Sequence, residues 1–211
     1  MLHYNKIAGQ RVQRIEALSD GVFAIAITIL VFNLKDPIAQ VTSEKILWRS
    51  LKEVLPTLLA CFPGFVTLGI FWTGQSTQFN FIEKYDRNLN RISILFLFFV
   101  SLVPFSISLP GNHINNKITI GIYWLNILAL GAMLYVHWRY ARKKNFLSFT
   151  GQDQKEVNTA IVKRIIAGQS MYFAGALLCF INTYLSIFVI IAIQMNYAFG
   201  IFAHQKKKHS K

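Results

Sequence analysis

The chain has 211 residues, of which 54% are hydrophobic and 18 are Phe, and its mean hydropathy is +0.40, a composition that excludes an ordinary soluble domain and points to an integral membrane protein. Its net charge of +13 is spread over short segments between apolar runs, not gathered on one soluble domain, so membrane topology and anionic lipid account for it and nucleic acid is not expected as a partner. Five scattered histidines (3, 113, 137, 204 and 209), and the lack of a nucleophile motif, a Gly-rich phosphate loop or paired carboxylates, argue against an enzyme, a metal or a cofactor.

The first apolar run opens with charges. If Ser19 or Asp20 were an N-cap, the helix over 21–34 would have 14 residues and span roughly 21 Å, short of a hydrocarbon core about 30 Å thick. The helix must therefore begin near Arg14, which places Ser19 and Asp20 inside it. An acid at that depth needs a partner or a water-filled path; the alternative is an interfacial acid solvated by headgroups. Arg14 is six positions away and points elsewhere, so the partners of both are expected on other helices.

Six spans are predicted, over about 15–34, 54–78, 91–110, 118–140, 163–182 and 184–203, making residues 1–211 a single six-helix membrane domain of the all-α class. The first run has no small-residue cleavage site and is followed by further spans, so it is not a removable signal. The connection over 36–52 starts with Asp36-Pro37, and its Ile46-Leu47-Trp48 and Leu51 suit a short interfacial helix. Pro63-Gly64 interrupts the second span, and Pro104 predicts a kink in the third. Residues 141–162 read as a cytoplasmic linker that becomes helical and polar before the fifth span, and 204–211 as a solvated basic cytoplasmic tail. Cys61 and Cys179 lie in apolar spans, and no disulfide is expected between them.

Placing both termini in the cytoplasm leaves only Lys35, Lys45, Arg49, Lys52 and Lys117 of the 22 basic residues outside. No second Ser-Asp pair opens a later span, so the chain carries one copy of its first motif.

At 100° per residue, Leu18, Gly21, Ile25, Thr28, Ile29 and Phe32 share one face of the first helix, with Phe23, Ile27, Leu30 and Leu34 on the other. A span buried on all sides carries such a stripe by chance. Gly21, Ala24 and Ala26 permit close helix approach, and Thr28 is the only hydroxyl on the stripe. A lone Thr commonly bonds its own helix carbonyl at i−4, yet a ring of copies would turn that hydroxyl into a polar layer.

Arg14-x-x-x-Leu18-Ser19-Asp20, running into Gly-Val-Phe-Ala-Ile-Ala-Ile-Thr-Ile-Leu-Val, resembles the Arg-x-x-x-Phe-Ser-Asp signature and first helix of the transmembrane protein 175 family, whose prokaryotic members are potassium-selective channels. Phe71-Trp72, Asp86-Arg87-Asn88-Leu89 and Pro104-Phe105 extend the likeness more loosely over the six-span layout. The resemblance implies a homotetramer, with four first helices lining a central pore in a bacterial plasma membrane and potassium as the permeant ion. Animal relatives carry two repeats and pair as dimers. Carried onto matching positions, the resemblance implies an apolar constriction at Ile25 with Ile29 and Phe32 further outward, ion selectivity at Thr28, and a polar network of Arg14, Ser19 and Asp20 at the cytoplasmic end, with second-span contacts at Trp72 and Gln75.

Three departures bear on these expectations. Leu18 replaces the signature Phe. Gln75-Ser76 stands where many relatives carry a His pair, which leaves any proton sensing by that pair without its residues here. Phe32 is bulkier than the Leu common at its position. With no Thr-Val-Gly-Tyr-Gly loop, a helix-lined constriction gated by wetting is the expected pore, weakly selective for potassium over sodium. The competing readings are a secondary transporter, favoured only by Pro63-Gly64 as a broken helix, and a non-transporting scaffold with a purely structural polar network.

Overall fold

In a computed structural model, the described residues are 11–32, 44–112, 116–148 and 151–199, with the side chains of 32, 44–60, 110–112 and 198–199 left out of the description. The predicted loop at Asp36-Pro37, the interfacial side chains Ile46, Leu47, Trp48 and Leu51, the side chain of Phe32 and the tail 204–211 lie outside them. The described residues form seven α-helices: α1 Val12–Phe32, α2 Glu44–Phe79, α3 Arg87–Ser101, α4 Val103–Asn112, α5 Lys117–Lys143, α6 Gln152–Leu177 and α7 Thr183–Phe199, with one 3₁₀ turn, Leu178–Phe180, after α6.

α1 starts at Val12, so Ser19 and Asp20 sit two turns inside a 21-residue helix, as the length argument required. α2 differs from expectation: its 36 residues run without a break from Glu44, so the short interfacial helix and the second span are one helix. The segment over 44–55 holds strong helix formers and no breaker, and nothing local stops it. α2 also continues through Pro63-Gly64, where Gly64 meets Leu30 so closely that a Cβ would lie 3.0 Å from its Cδ2. That glycine serves a helix crossing, not a broken helix, and lends no support to a transporter.

α3 and α4 are one apolar run broken at Leu102, two residues before Pro104, whose missing N–H cannot bond back to Val100. The joined run Arg87–Leu109 and α5, at 23 and 27 residues, are the two among the described residues long and apolar enough to cross a membrane. Thr183–Tyr197 is a shorter apolar helix.

The helices pack so that α1 lies on α2 and α3, α3 and α4 lie on α5, α6 lies on α5 and α7, and α7 closes the bundle back against α2. Phe23 and Phe96, each 1% exposed, meet with ring centroids 6.0 Å apart and fasten α1 to α3. At one end, Asp86 caps α3 by accepting from the Leu89 N–H at 2.8 Å, and accepts the Tyr140 hydroxyl at 2.7 Å. The same end is closed by an Ile82–Leu147 bridge and by burial of Tyr85, whose hydroxyl bonds Ser93. Burial pushes the Tyr85 phenol up from its ordinary range, so it stays neutral.

Candidate functional site

α1 has two unlike faces. Ile15, Ser19, Phe23, Ala26 and Leu30, at helical spacing, are all buried against the bundle. Leu18, Gly21, Ile25, Thr28 and Ile29 are exposed, Ile25 by 61%, and nothing among the described residues covers them. The stripe expected on one face is therefore the uncovered face. Of the opposite set, Phe23 and Leu30 are buried, Ile27 is half-buried and Leu34 lies outside the described residues.

The polar residues of α1 are held by one face of α2. The Ser19 hydroxyl donates to the Gln75 amide oxygen, both side chains being 2% exposed. One residue on, the Trp72 indole N–H donates to Asp20 Oδ1 at 2.8 Å. Trp72 and Gln75 stand three apart on α2 and so share a face, which is why one helix reaches two adjacent residues of the other. Arg14 joins neither: it is exposed and makes no side-chain hydrogen bond or ion pair among the described residues. Among the described residues, the three-residue network expected at this end is two separate pairs that Arg14 does not join.

The Ser19–Gln75 bond is testable by stability. Ser19→Ala leaves the buried Gln75 oxygen unpaired and is expected to cost about 1–3 kcal/mol, read as a lower unfolding midpoint in detergent. Adding Gln75→Leu should restore much of the loss, because both polar partners are then gone.

The Thr28 hydroxyl donates to the Ile25 carbonyl at 2.8 Å, three residues back where four was expected. This uses the hydroxyl proton and leaves the oxygen lone pairs on the exposed face. Ile29 lies beside it, and the backbone of Phe32 closes the helix. Further along, the Cys61 thiol donates to the Leu30 carbonyl at 3.3 Å, so this cysteine ties α2 to α1, a contact over 31 residues for which the sequence carried no signal. Cys61 and Cys179 are both free thiols.

Beside this helix pair runs an open groove of about 730 Å³ whose lining includes Asp20, Trp72, Arg164 and Tyr197 together with the apolar Phe62, Phe65 and Val66. That Arg164 shares this lining with Asp20 depends on how α6 docks, for which the sequence carries no signal. Among the described residues no cluster of His, Cys, Asp and Glu can hold a metal ion.

A family model described as "Endosomal/lysosomal potassium channel TMEM175" matches residues 14–104. A potassium channel of Chamaesiphon minutus is 30% identical over 188 residues, covering 88% of this chain and 92% of that one. A potassium channel of Streptomyces collinus is 29% identical over 138 residues, or 64% of this chain and 66% of that one. The endosomal/lysosomal proton channel TMEM175 of Gallus gallus is 35% identical over 107 residues, 47% of this chain but 21% of the longer relative. The crystal structure of a lysosomal potassium-selective channel TMEM175 homolog from Chamaesiphon minutus superposes with a TM-score of 0.74 at 29% identity, covering 89% of this chain and 96% of that one.

Proposed function

The chain belongs to the TMEM175 family, which makes it a membrane-embedded channel protein and not an enzyme, and from that premise we propose that it conducts potassium through a pore lined by α1. The observation that carries this reading is the asymmetry of α1. One face is fixed to α2 by Ser19–Gln75 and Asp20–Trp72, while the other presents Ile25, Thr28 and Ile29 uncovered. A single chain cannot enclose an axis with one helix. Four copies, each giving one α1, bring the uncovered faces together around a pore.

In this assembly Ile25 forms the narrowest apolar ring, Ile29 and Phe32 the rings beyond it, and Thr28 a hydroxyl layer giving weak preference for potassium over sodium. The chain sits in the cell membrane with both termini cytoplasmic, and its basic cytoplasmic segments meet anionic lipid. The test is flux. Purified protein in liposomes should pass potassium down its own gradient with no second ion required, and obligatory exchange or carrier-like saturation would overturn the channel.

Assembly gives two further tests. Mass measurement in mild detergent should find a homotetramer, and a monomer or a stable dimer would count against the shared pore. Asp20→Asn keeps the acceptor for Trp72 but removes the charge, and Arg14→Ala removes a cation that has no partner among the described residues. Both should lower the tetramer fraction while leaving ion preference unchanged, because a charge at that depth needs a partner across a subunit boundary. A loss of about 1.4 kcal/mol in assembly is a tenfold shift in the equilibrium. Normal tetramers with altered preference would place these residues in the permeation path instead.

A further inference from the structure

A ring made by rotating one chain about an axis closes through a single kind of contact, in which one surface of each copy meets a different surface of the next. α1 packs against α2 and against α3, while α2 and α3 make no extended contact with each other, so they lie on different sides of it. On the α2 side is the open groove, whose lining includes Asp20 and Ala24 of α1 and Phe62, Phe65, Gly69 and Trp72 of α2. Gly69 leaves a gap in that wall, since a Cβ added there would meet nothing within 4 Å. On the other side, α3 and α4 present an exposed stripe at helical spacing, Arg91, Leu95, Phe98 and Phe105, opposite the buried Phe96 and Val100. One surface is concave and the other is a ridge.

Rotation about an axis normal to the membrane leaves every residue's depth unchanged, so only residues of similar depth can meet between copies. Contacts within the chain set those depths. The Asp20–Trp72 bond holds these two level, and the Phe23–Phe96 ring contact puts α3 in register with α1. At about 1.5 Å per residue, Phe23 on α1 and Gly69 on α2 both lie roughly 4.5 Å beyond that level, toward the Phe32 end of α1. Counting along α3 from Phe96, Leu95 and Phe98 fall within about 3 Å of the depth of Gly69, and Arg91 within about 3 Å of the depth of Asp20. Phe62 and Phe105, farther along, also differ by only about 3 Å in depth, whereas Arg14 lies roughly 9 Å to the other side of Asp20.

We propose that the groove seats the exposed α3–α4 ridge of the neighbouring copy, with Phe98 over Gly69, Phe105 beside Phe62 and Arg91 paired with Asp20. The inference rests on the homotetramer reading and names the two surfaces that close its ring. Lipid tails are as apolar as these side chains, so the contact is selected by close fit and polar pairing, not by hydrophobicity. Ala24 and Gly69 let the ridge approach closely. The charges complement each other: Asp20 gives Oδ1 to Trp72 and its Oδ2 has no partner among the described residues, while Arg91 gives Nη1 to Asn88 at 3.3 Å and keeps further N–H donors for an acid. A carboxylate inside a spanning helix needs such a partner, and its pairing fixes the register of the two surfaces.

Cross-linking between copies in the membrane tests it. In a Cys61→Ser, Cys179→Ala background, two differently tagged full chains are coexpressed, one with Gly69→Cys and the other with Phe98→Cys, and treated with a bifunctional thiol reagent spanning about 10 Å, the separation of packed helix axes. A product carrying both tags is expected. Gly69→Cys with Phe105→Cys, roughly 13 Å apart in depth, should yield about a tenth as much or less. Phe62→Cys with Phe105→Cys is a second matched pair, used where Gly69→Cys or Phe98→Cys disturbs assembly. For the charges, Arg91→Ala should shift the assembly equilibrium about tenfold, and adding it to Asp20→Asn should cost little beyond Asp20→Asn alone, as two changes to one pair do. Fully additive losses would overturn the pairing. Mass measurement separates the remaining failures: a monomer removes the homotetramer and this contact with it, whereas an intact tetramer in which neither matched pair links overturns the contact alone and leaves both surfaces to lipid.

Discussion

Replacing Ile25 with Asn or Ala in every subunit is expected to raise potassium conductance about tenfold or more, since a barrier lowered by only about 1.4 kcal/mol is tenfold in rate. Ile25 is 61% exposed in the single chain and supports no internal packing, so the substitution spares the fold. In the proposed ring of four, the same side chains would crowd an axis from which water is expelled, and an ion would have to shed its hydration to pass. Asn lines that ring with groups that hold water, and Ala widens it by removing the outer part of each side chain. Single-channel currents from reconstituted protein give the answer. Unchanged current in both variants would move the constriction elsewhere on α1, with Phe32 next in line.

Thr28→Val is expected to bring the potassium preference down toward unity, whereas Thr28→Ser should largely keep it. The hydroxyl proton is committed to the Ile25 carbonyl at 2.8 Å, so what the side chain offers an ion is an oxygen with free lone pairs. Potassium gives up water at lower cost than sodium, and four weak oxygen ligands favour it modestly. Val preserves the β-branched shape without the oxygen, while Ser preserves the oxygen with a freer rotamer. Reversal potentials under opposed potassium and sodium gradients separate the two variants. A Thr28→Val channel with unaltered preference would mean that the hydroxyl serves only its own helix.

The legible part of the site follows from helical spacing. The length of an apolar run fixed where α1 must begin, and the 3.6-residue period separated Ile25, Thr28 and Ile29 from Phe23 and Leu30, because both are properties of a helix considered alone. Trp72 and Gln75 entered as second-span contacts through family resemblance, and the structure joins them to Asp20 and Ser19. Two local expectations differed in detail: Thr28 bonds back three residues in place of four, and the helix carrying the second span starts at Glu44. In each case several local geometries satisfy the same composition, and periodicity does not choose among them.

The sequence by itself determined an all-helical membrane chain, the start of its first helix ahead of Ser19 and Asp20, and the division of that helix into two faces. Only the tertiary structure decided that Ser19 meets Gln75 across 56 residues, that Asp20 meets Trp72 while Arg14 meets neither, that Arg164 lines the same groove as Asp20, and that Gly74, Gly131 and Gly168 line one common cavity. The physical reason is that hydrophobic periodicity is set by each helix's own pitch. Which side chains touch across helices depends on rotation and axial offset at each crossing, and these are fixed by side-chain packing that no single segment contains.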